Sequence, residues 1–207
     1  MLPTHVLLGV VLALPWVLVV PELLTVAAIA GAIGGLIPDL DLYAGHRKTL
    51  HFPVGYTVGA AIVVPIAALA PSTVTLAIAA MTVGAASHCL GDILAGGLEL
   101  RPWEARDERA VYDHFHGRWI RPRRVIRYDG SPEDVILSIG LAIPLVAVLD
   151  PPLVYLVVLL LGVGLVYGVL RRRLASIAPR IADSLPGQFH AHVPDRYLED
   201  KGVAGRR

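Results

Sequence analysis

Cysteine is nearly missing from the 207-residue chain: Cys89 stands alone, which excludes an internal disulfide framework and any metal site built from several thiolates. Charge is scarce as well. Only 17% of residues are Asp, Glu, Lys or Arg and the net charge is +1, so bulk attraction to nucleic acid is disfavoured. Lysine occurs only at Lys48 and Lys201; arginine supplies the other cations, a bias of composition rather than of function. No internal repeat or low-complexity tract is present.

Apolar residues are what the chain has in abundance. They make up 55% of it, with a mean hydropathy of +0.64, and runs of membrane-spanning length recur. The expected class is an all-α integral membrane protein, a bundle of about six transmembrane helices with a polar cytoplasmic loop and a C-terminal tail. The predicted spans are 3–20, 22–36, 53–70, 72–97, 134–149 and 152–170, with turns at Pro21 and at Asp150-Pro-Pro152 and a kink near Pro65. The first span lacks a basic leader and a small-residue cleavage site, so it is expected to be retained. Residues 1–105 read as a four-helix membrane core, 106–133 as a basic-aromatic loop, 134–170 as a closing helical hairpin and 171–207 as a tail. Ser131 and Pro132 mark the start of the fifth helix.

Orientation follows from the cations. With six spans, loops 20–22, 70–72 and 150–151 share one face and carry no Lys or Arg. All 18 Lys and Arg fall on the opposite face, which the positive-inside rule makes cytoplasmic, with both termini there. The expected location is the cell membrane, multi-pass.

Every histidine also lies at or near that face. The stretch 37–51 holds Asp39, Asp41, His46, Arg47, Lys48 and His51 between two apolar segments. A mixture of Asp and His suits zinc, manganese or iron better than calcium. Such a loop in isolation is more often merely solvated. His88 and Asp92 shift the balance: four residues apart on an apolar helix, they share a face and are costly in lipid unless they face the bundle. His5 opens the first span. Steps of four from these residues meet small ones, in His5-Gly9-Ala13, Asp39-Gly35-Gly31, His51-Gly55-Gly59 and His88-Gly84-Ala80, a spacing that permits close helix approach.

Thr4-His5 with Gly9, Pro38-Asp39-Leu40-Asp41, His46-Arg47 with His51, and His88-x-x-x-Asp92 followed by Gly96-Gly97 and Arg101-Pro102-Trp103 resemble the YdjM-like family of membrane-bound metal-dependent hydrolases. The likeness covers roughly residues 1–105; Phe52 follows His51 where the family commonly has a serine. It implies metal-dependent hydrolysis at the membrane. On that basis His5, Asp39, His51, His88 and Asp92 are the expected ligands of a divalent ion, zinc first, with manganese or iron as alternatives. Asp39 or Asp41 is the expected general base or orienting carboxylate. Arg47, with His46 and Lys48, is expected to hold an anionic group, which suggests a phosphate-bearing lipid or another amphiphile.

In the segment 98–133, arginines alternate with Trp103, Tyr112, Phe115, Trp119 and Tyr128, a mixture suited to anionic headgroups. His114 and His116, and His190 with His192, are further candidate ligands, although histidines in loops are usually solvated. Two other classes remain: a non-catalytic scaffold or regulator recruiting a cytoplasmic partner, and an ion- or proton-coupled transporter. The latter should leave a polar trail across the midplane, which the outer halves of the spans lack.

Overall fold

The computed structural model describes residues 1–190, together with Val193 and Tyr197. The described chain is mostly helical, with one short hairpin. Its longer helices are α1 (Leu2–Ala13), α2 (Leu24–Leu36), α3 (Pro53–Leu69), α4 (Thr73–Leu94), α5 (Pro132–Val148) and α6 (Pro151–Ser184). Proline punctuates them. It opens α3, α5 and α6, where its missing N–H is no loss. Pro15 lies in the 3₁₀ stretch Leu14–Leu18 that takes over where α1 stops. Helix α4 begins instead with a reciprocal cap between Ser72 and Thr75, and Ser131 caps α5 by accepting from the Asp134 amide.

Among the described residues, three segments are long and apolar enough to cross a membrane: Pro21–Asp41, Thr73–Leu94 and Pro151–Ser184. Leu2–Leu18 and Pro53–Leu69 are shorter; the 17 residues of α3 rise about 25 Å against roughly 30 Å of hydrocarbon. Val158, Leu159, Val166 and Val169 of α6 are all more than half exposed, an apolar face that suits lipid rather than water. Helix α6 also runs through Arg171 to Ser184, past the polar tail expected from residue 171, with Pro179 inside it.

The centre is a three-helix seam. A Cβ added at Gly9 of α1 would lie 2.1 Å from the Gly31 carbonyl oxygen of α2, and one at Gly84 of α4 would lie 2.5 Å from the same atom. No other residue fits where backbones touch so closely. Three of the four small-residue steps therefore do what the spacing predicts. The fourth, His51-Gly55-Gly59, does not: Gly55 meets only Phe52 and Gly59 makes ordinary contact with Thr82. His51 precedes α3 rather than belonging to it, so a helical step from it has no meaning. Helix α3 packs on α4, while α5 and α6 close against α1 around Leu7, Val10, Leu145 and Val157.

The segment 98–133 is not simply a loop. Strands β1 (Val111–Asp113) and β2 (Arg118–Ile120) pair antiparallel, and the Tyr112 amide donates to the Arg47 carbonyl at 2.9 Å. Beyond the hairpin, Arg123 and Ile126 amides donate to the carbonyls of Ile93 and Leu94 at 2.7 and 3.1 Å, satisfying acceptors at the end of α4.

Candidate metal centre

Pro38 turns the end of α2 into a 3₁₀ stretch, Ile37–Asp41, which sends the two aspartates of Pro-Asp-Leu-Asp to different tasks. Asp41 is buried and organises the following loop. Its Oδ1 accepts from the Arg47 amide (3.3 Å) and sits 3.2 Å from His46 Nδ1. Its Oδ2 accepts from the amides of Lys48 (3.3 Å) and Leu50 (3.1 Å) and lies 2.9 Å from His51 Nδ1. Asp39 points the other way, with Oδ1 3.5 Å from His88 Nε2 and 4.0 Å from His51 Nε2.

From α4, Asp92 Oδ2 stands 3.2 Å from His51 Nε2 and 3.5 Å from His88 Nε2. Atoms of Asp39, His51, His88 and Asp92 thus all lie within 4.8 Å of one another. The two rings are held in a definite sense. His88 Nδ1 is 2.7 Å from the Gly35 carbonyl oxygen and His51 Nδ1 faces the Asp41 carboxylate, so each Nδ1 carries the proton. Both Nε2 atoms then face two carboxylates, and a neutral ring presents a lone pair there. His88 Nε2 is buried and has no hydrogen-bond partner. With both rings neutral, four acceptors face one point and repel one another unless a cation lies among them. Tetrahedral ligands at about 2.1 Å from zinc are about 3.4 Å apart, close to the 3.2–3.5 Å of three of these separations. The donor set could hold a metal ion.

The remaining candidates surround this group. His5 stacks on His88 with centroids 4.0 Å apart and places Nε2 3.2 Å from Asp92 Oδ1, the oxygen turned away from His51. Gly91 leaves room for that ring; a Cβ there would lie 2.7 Å from His5 Cε1. Arg47, expected to hold an anionic group, is buried. Its left-handed backbone (φ 60°) turns it inward, where Nη2 pairs with Asp92 Oδ1 at 3.2 Å and Nη1 donates to the Gly96 carbonyl at 2.8 Å. Lys48 lies over the Tyr112 ring at 4.6 Å. Burial works against a charge on His51, but Asp41 and Asp92 outweigh it and raise its pKa above 6.5.

His114 and His116 stay outside the cluster. His114 Nε2 is 2.6 Å from the Lys48 carbonyl oxygen and its ring stacks on Phe52, so the hairpin straps the 45–51 loop. His116 pairs with Asp113 at 2.6 Å. The His190 side chain and His192 lie outside the described residues.

A cavity of about 420 Å³ adjoins the cluster at His5, Asp39, His46, Arg47 and Asp92 and continues along α5 and α6 past Leu160, Val163 and Gly164. Within the cluster Asp39 and His46 face it most openly, with side chains 23% and 20% exposed against 4% or less for His51, His88 and Asp92. Two polar groups on its far side were not among the expected site residues. Thr4 donates to Asp134 and lies 2.8 Å from Ser138 Oγ, joining α1 to α5. Arg171 Nε is 3.3 Å from Asp129, which also accepts from Tyr167. The four-residue step from Tyr167 to Arg171 in an apolar helix was the available signal. Comparison of the chain with protein-family models, with curated proteins and with solved structures found no match.

Proposed function

We propose that this chain is a membrane-bound, metal-dependent hydrolase of the YdjM-like kind, acting on an amphiphile at the cytoplasmic interface. The observation that carries it is the convergence of Asp39, His51, His88 and Asp92 on one point, with the Nδ1 of each imidazole engaged by its own acceptor. Those four residues would hold the ion, zinc by donor type. When bound, such an ion supplies Lewis acidity and acidifies water at the site. Asp41 orients His51 and fixes its tautomer. His5 and Arg47 hold Asp92 by Oδ1 and leave Oδ2 facing the two imidazoles. His46, half-open to the cavity and backed by Asp41, is placed to take up and return the proton of the hydrolytic step.

The topology that accompanies this reading has six spans and both termini in the cytoplasm. Its support is that loops 20–22, 70–72 and 150–151 carry no Lys or Arg. The shorter helices complete their crossings with the 3₁₀ extension of α1 and with packing against longer neighbours.

Metal analysis of detergent-purified protein tests the reading. Near-stoichiometric zinc in the wild type, lost in His88→Ala and Asp92→Ala while both remain folded, is the expected result. A folded wild type that binds no divalent ion favours the scaffold class instead.

A further inference from the structure

At the end of the bundle that carries the cluster, the β1–β2 hairpin packs against the start of α3. Rings run without a gap from the first turn of that helix into the hairpin. Centroids are 5.8 Å apart for Tyr56 and Phe52, 4.6 Å for Phe52 and His114, 5.0 Å for His114 and Tyr112, and 5.4 Å for Tyr112 and Trp119. Further along α3, Val58 and Ile62 are more than half exposed, on a side that lipid would cover. The first turn of α3 therefore marks the level where hydrocarbon gives way to headgroups, and aromatic rings gather at that level. Phe115 follows His114 in the turn between the strands and is 77% exposed. Val125 is 67% exposed, and the amides on either side of it, of Arg124 and Ile126, donate to the Ala95 and Leu94 carbonyls at the neighbouring end of α4.

The cations nearby divide into two groups. Arg106, Arg109, Arg124 and Arg127 are already neutralised, by Glu104, Asp107, Glu108 and Glu133 at 2.8–3.1 Å. Lys48, Arg118 and Arg123 are exposed and have no carboxylate partner among the described residues. Uncompensated positive charge thus stands at the same end of the bundle as two exposed apolar side chains. Water solvates the cations but leaves Phe115 and Val125 uncovered. The level decides the occupant. Lipid phosphates lie where the first turn of α3 ends, and attraction between such groups and exposed cations persists over about 8 Å at physiological salt.

We infer that this surface docks on the anionic headgroups of the bilayer that holds the helices. Phe115 and Val125 enter the boundary region, and Lys48, Arg118 and Arg123 meet lipid phosphates. The docking depends on the helices being embedded in lipid, not on a bound metal or on hydrolysis. It also narrows the expectation from the sequence, in which every arginine of 98–133 was a candidate for headgroups. A docked hairpin is not an isolated tether: the Tyr112 amide donates to the Arg47 carbonyl at 2.9 Å and His114 Nε2 lies 2.6 Å from the Lys48 carbonyl oxygen. Both strand and turn are thereby fastened to the loop that carries His46, Arg47 and His51.

Site-directed spin labelling tests this in lipid nanodiscs. Cys89 is buried, so a nitroxide attaches selectively to an introduced cysteine in Phe115→Cys. Val125→Cys makes the same measurement with Phe115 intact. Power saturation compares access of the label to oxygen, which partitions into lipid, with access to a neutral nickel chelate, which stays in water. Discs of phosphatidylcholine are compared with discs in which phosphatidylglycerol replaces up to about a third of the lipid. Access to nickel is expected to fall, and access to oxygen to rise, as phosphatidylglycerol increases. Each cation near an anionic surface contributes about fivefold, so Arg118→Gln with Arg123→Gln should lower the ratio of docked to undocked hairpin about 30-fold. Labels equally open to nickel in both kinds of disc overturn the docking. Labels equally shielded in both overturn the requirement for anionic lipid, as does an unchanged response in the Arg118→Gln, Arg123→Gln variant. Inorganic phosphate added to phosphatidylcholine discs should leave the labels open to nickel; shielding by it would make the ligand a free anion and overturn the assignment to lipid.

Discussion

Asp41→Asn removes a charge and one acceptor and changes almost nothing else. Asp41 Oδ2 faces three donors, from Lys48, Leu50 and His51, whereas Oδ1 faces the Arg47 amide and His46. The asparagine carbonyl will therefore take the Oδ2 side, leaving its NH₂ toward Arg47 N and His46, whose ring can change tautomer to accept. The Arg47 amide then faces a donor and loses its acceptor, while His51 loses a charged partner. Loss of such an orienting carboxylate costs about 10–100-fold in metal affinity, or about 1.4–2.7 kcal/mol. Competition with a chromophoric zinc chelator measures this directly. A second readout separates orientation from mere structure. Asp41 helps raise the His51 pKa, so in Asp41→Asn the competing proton should leave at lower pH, and the acid limb of zinc affinity should shift down. Unchanged affinity and an unchanged acid limb would refute the view that Asp41 acts through His51.

The wild type has its own pH signature. A raised His51 pKa means the metal-free ring stays charged to a higher pH than its ordinary 6.5, and zinc must displace that proton. Apparent zinc affinity should fall by about tenfold per pH unit once the ring is protonated. Thermal stability of metal-free protein should move the opposite way: the charged ring contributes fully below 6.5, and that contribution is lost as pH rises through the raised value. In the seam, Gly84→Ala puts a methyl group 2.5 Å from the Gly31 carbonyl oxygen and should cost about 1–3 kcal/mol or more, read as a lowered Tm in detergent. Gly140→Ala, in open space at the surface of α5, should be neutral or stabilising by about 0.5–1 kcal/mol.

Sequence legibility followed the periodicity of each segment. The pairing of His88 with Asp92 was plain because an i, i+4 step on a long helix fixes relative direction whatever surrounds it. The separate duties of Asp39 and Asp41 were not, since a 3₁₀ turn imposed by Pro38 rotates them differently from the helix before it. The inward turn of Arg47 depends on one left-handed residue, a conformation that arginine does not advertise. The hairpin has three-residue strands, too short to show alternation, and its turn is held by Asp113 accepting from the Phe115 and His116 amides at 3.0 and 3.2 Å. The continuation of α6 beyond Arg171 was obscured by Pro179, which reads as a break but is carried inside the helix.

Gly35 shows why packing and chemistry in this bundle are one arrangement rather than two. A Cβ there would lie 2.4 Å from the His5 carbonyl oxygen, so only glycine lets α1 approach α2 at that level. The same residue's carbonyl accepts from His88 Nδ1 at 2.7 Å and thereby directs Nε2 toward Asp39 and Asp92. Close backbone contact thus brings His5 onto the His88 ring and sets the tautomer that leaves a lone pair in the cluster. An imidazole buried in an apolar helix would be costly without such partners. Here each partner that offsets the cost of burial also turns the remaining acceptor toward the others, so the repulsion among the four falls on the point where a cation would relieve it. Metal binding and the joining of α1, α2 and α4 should therefore be linked, with the ion strengthening a junction that the glycines alone make close.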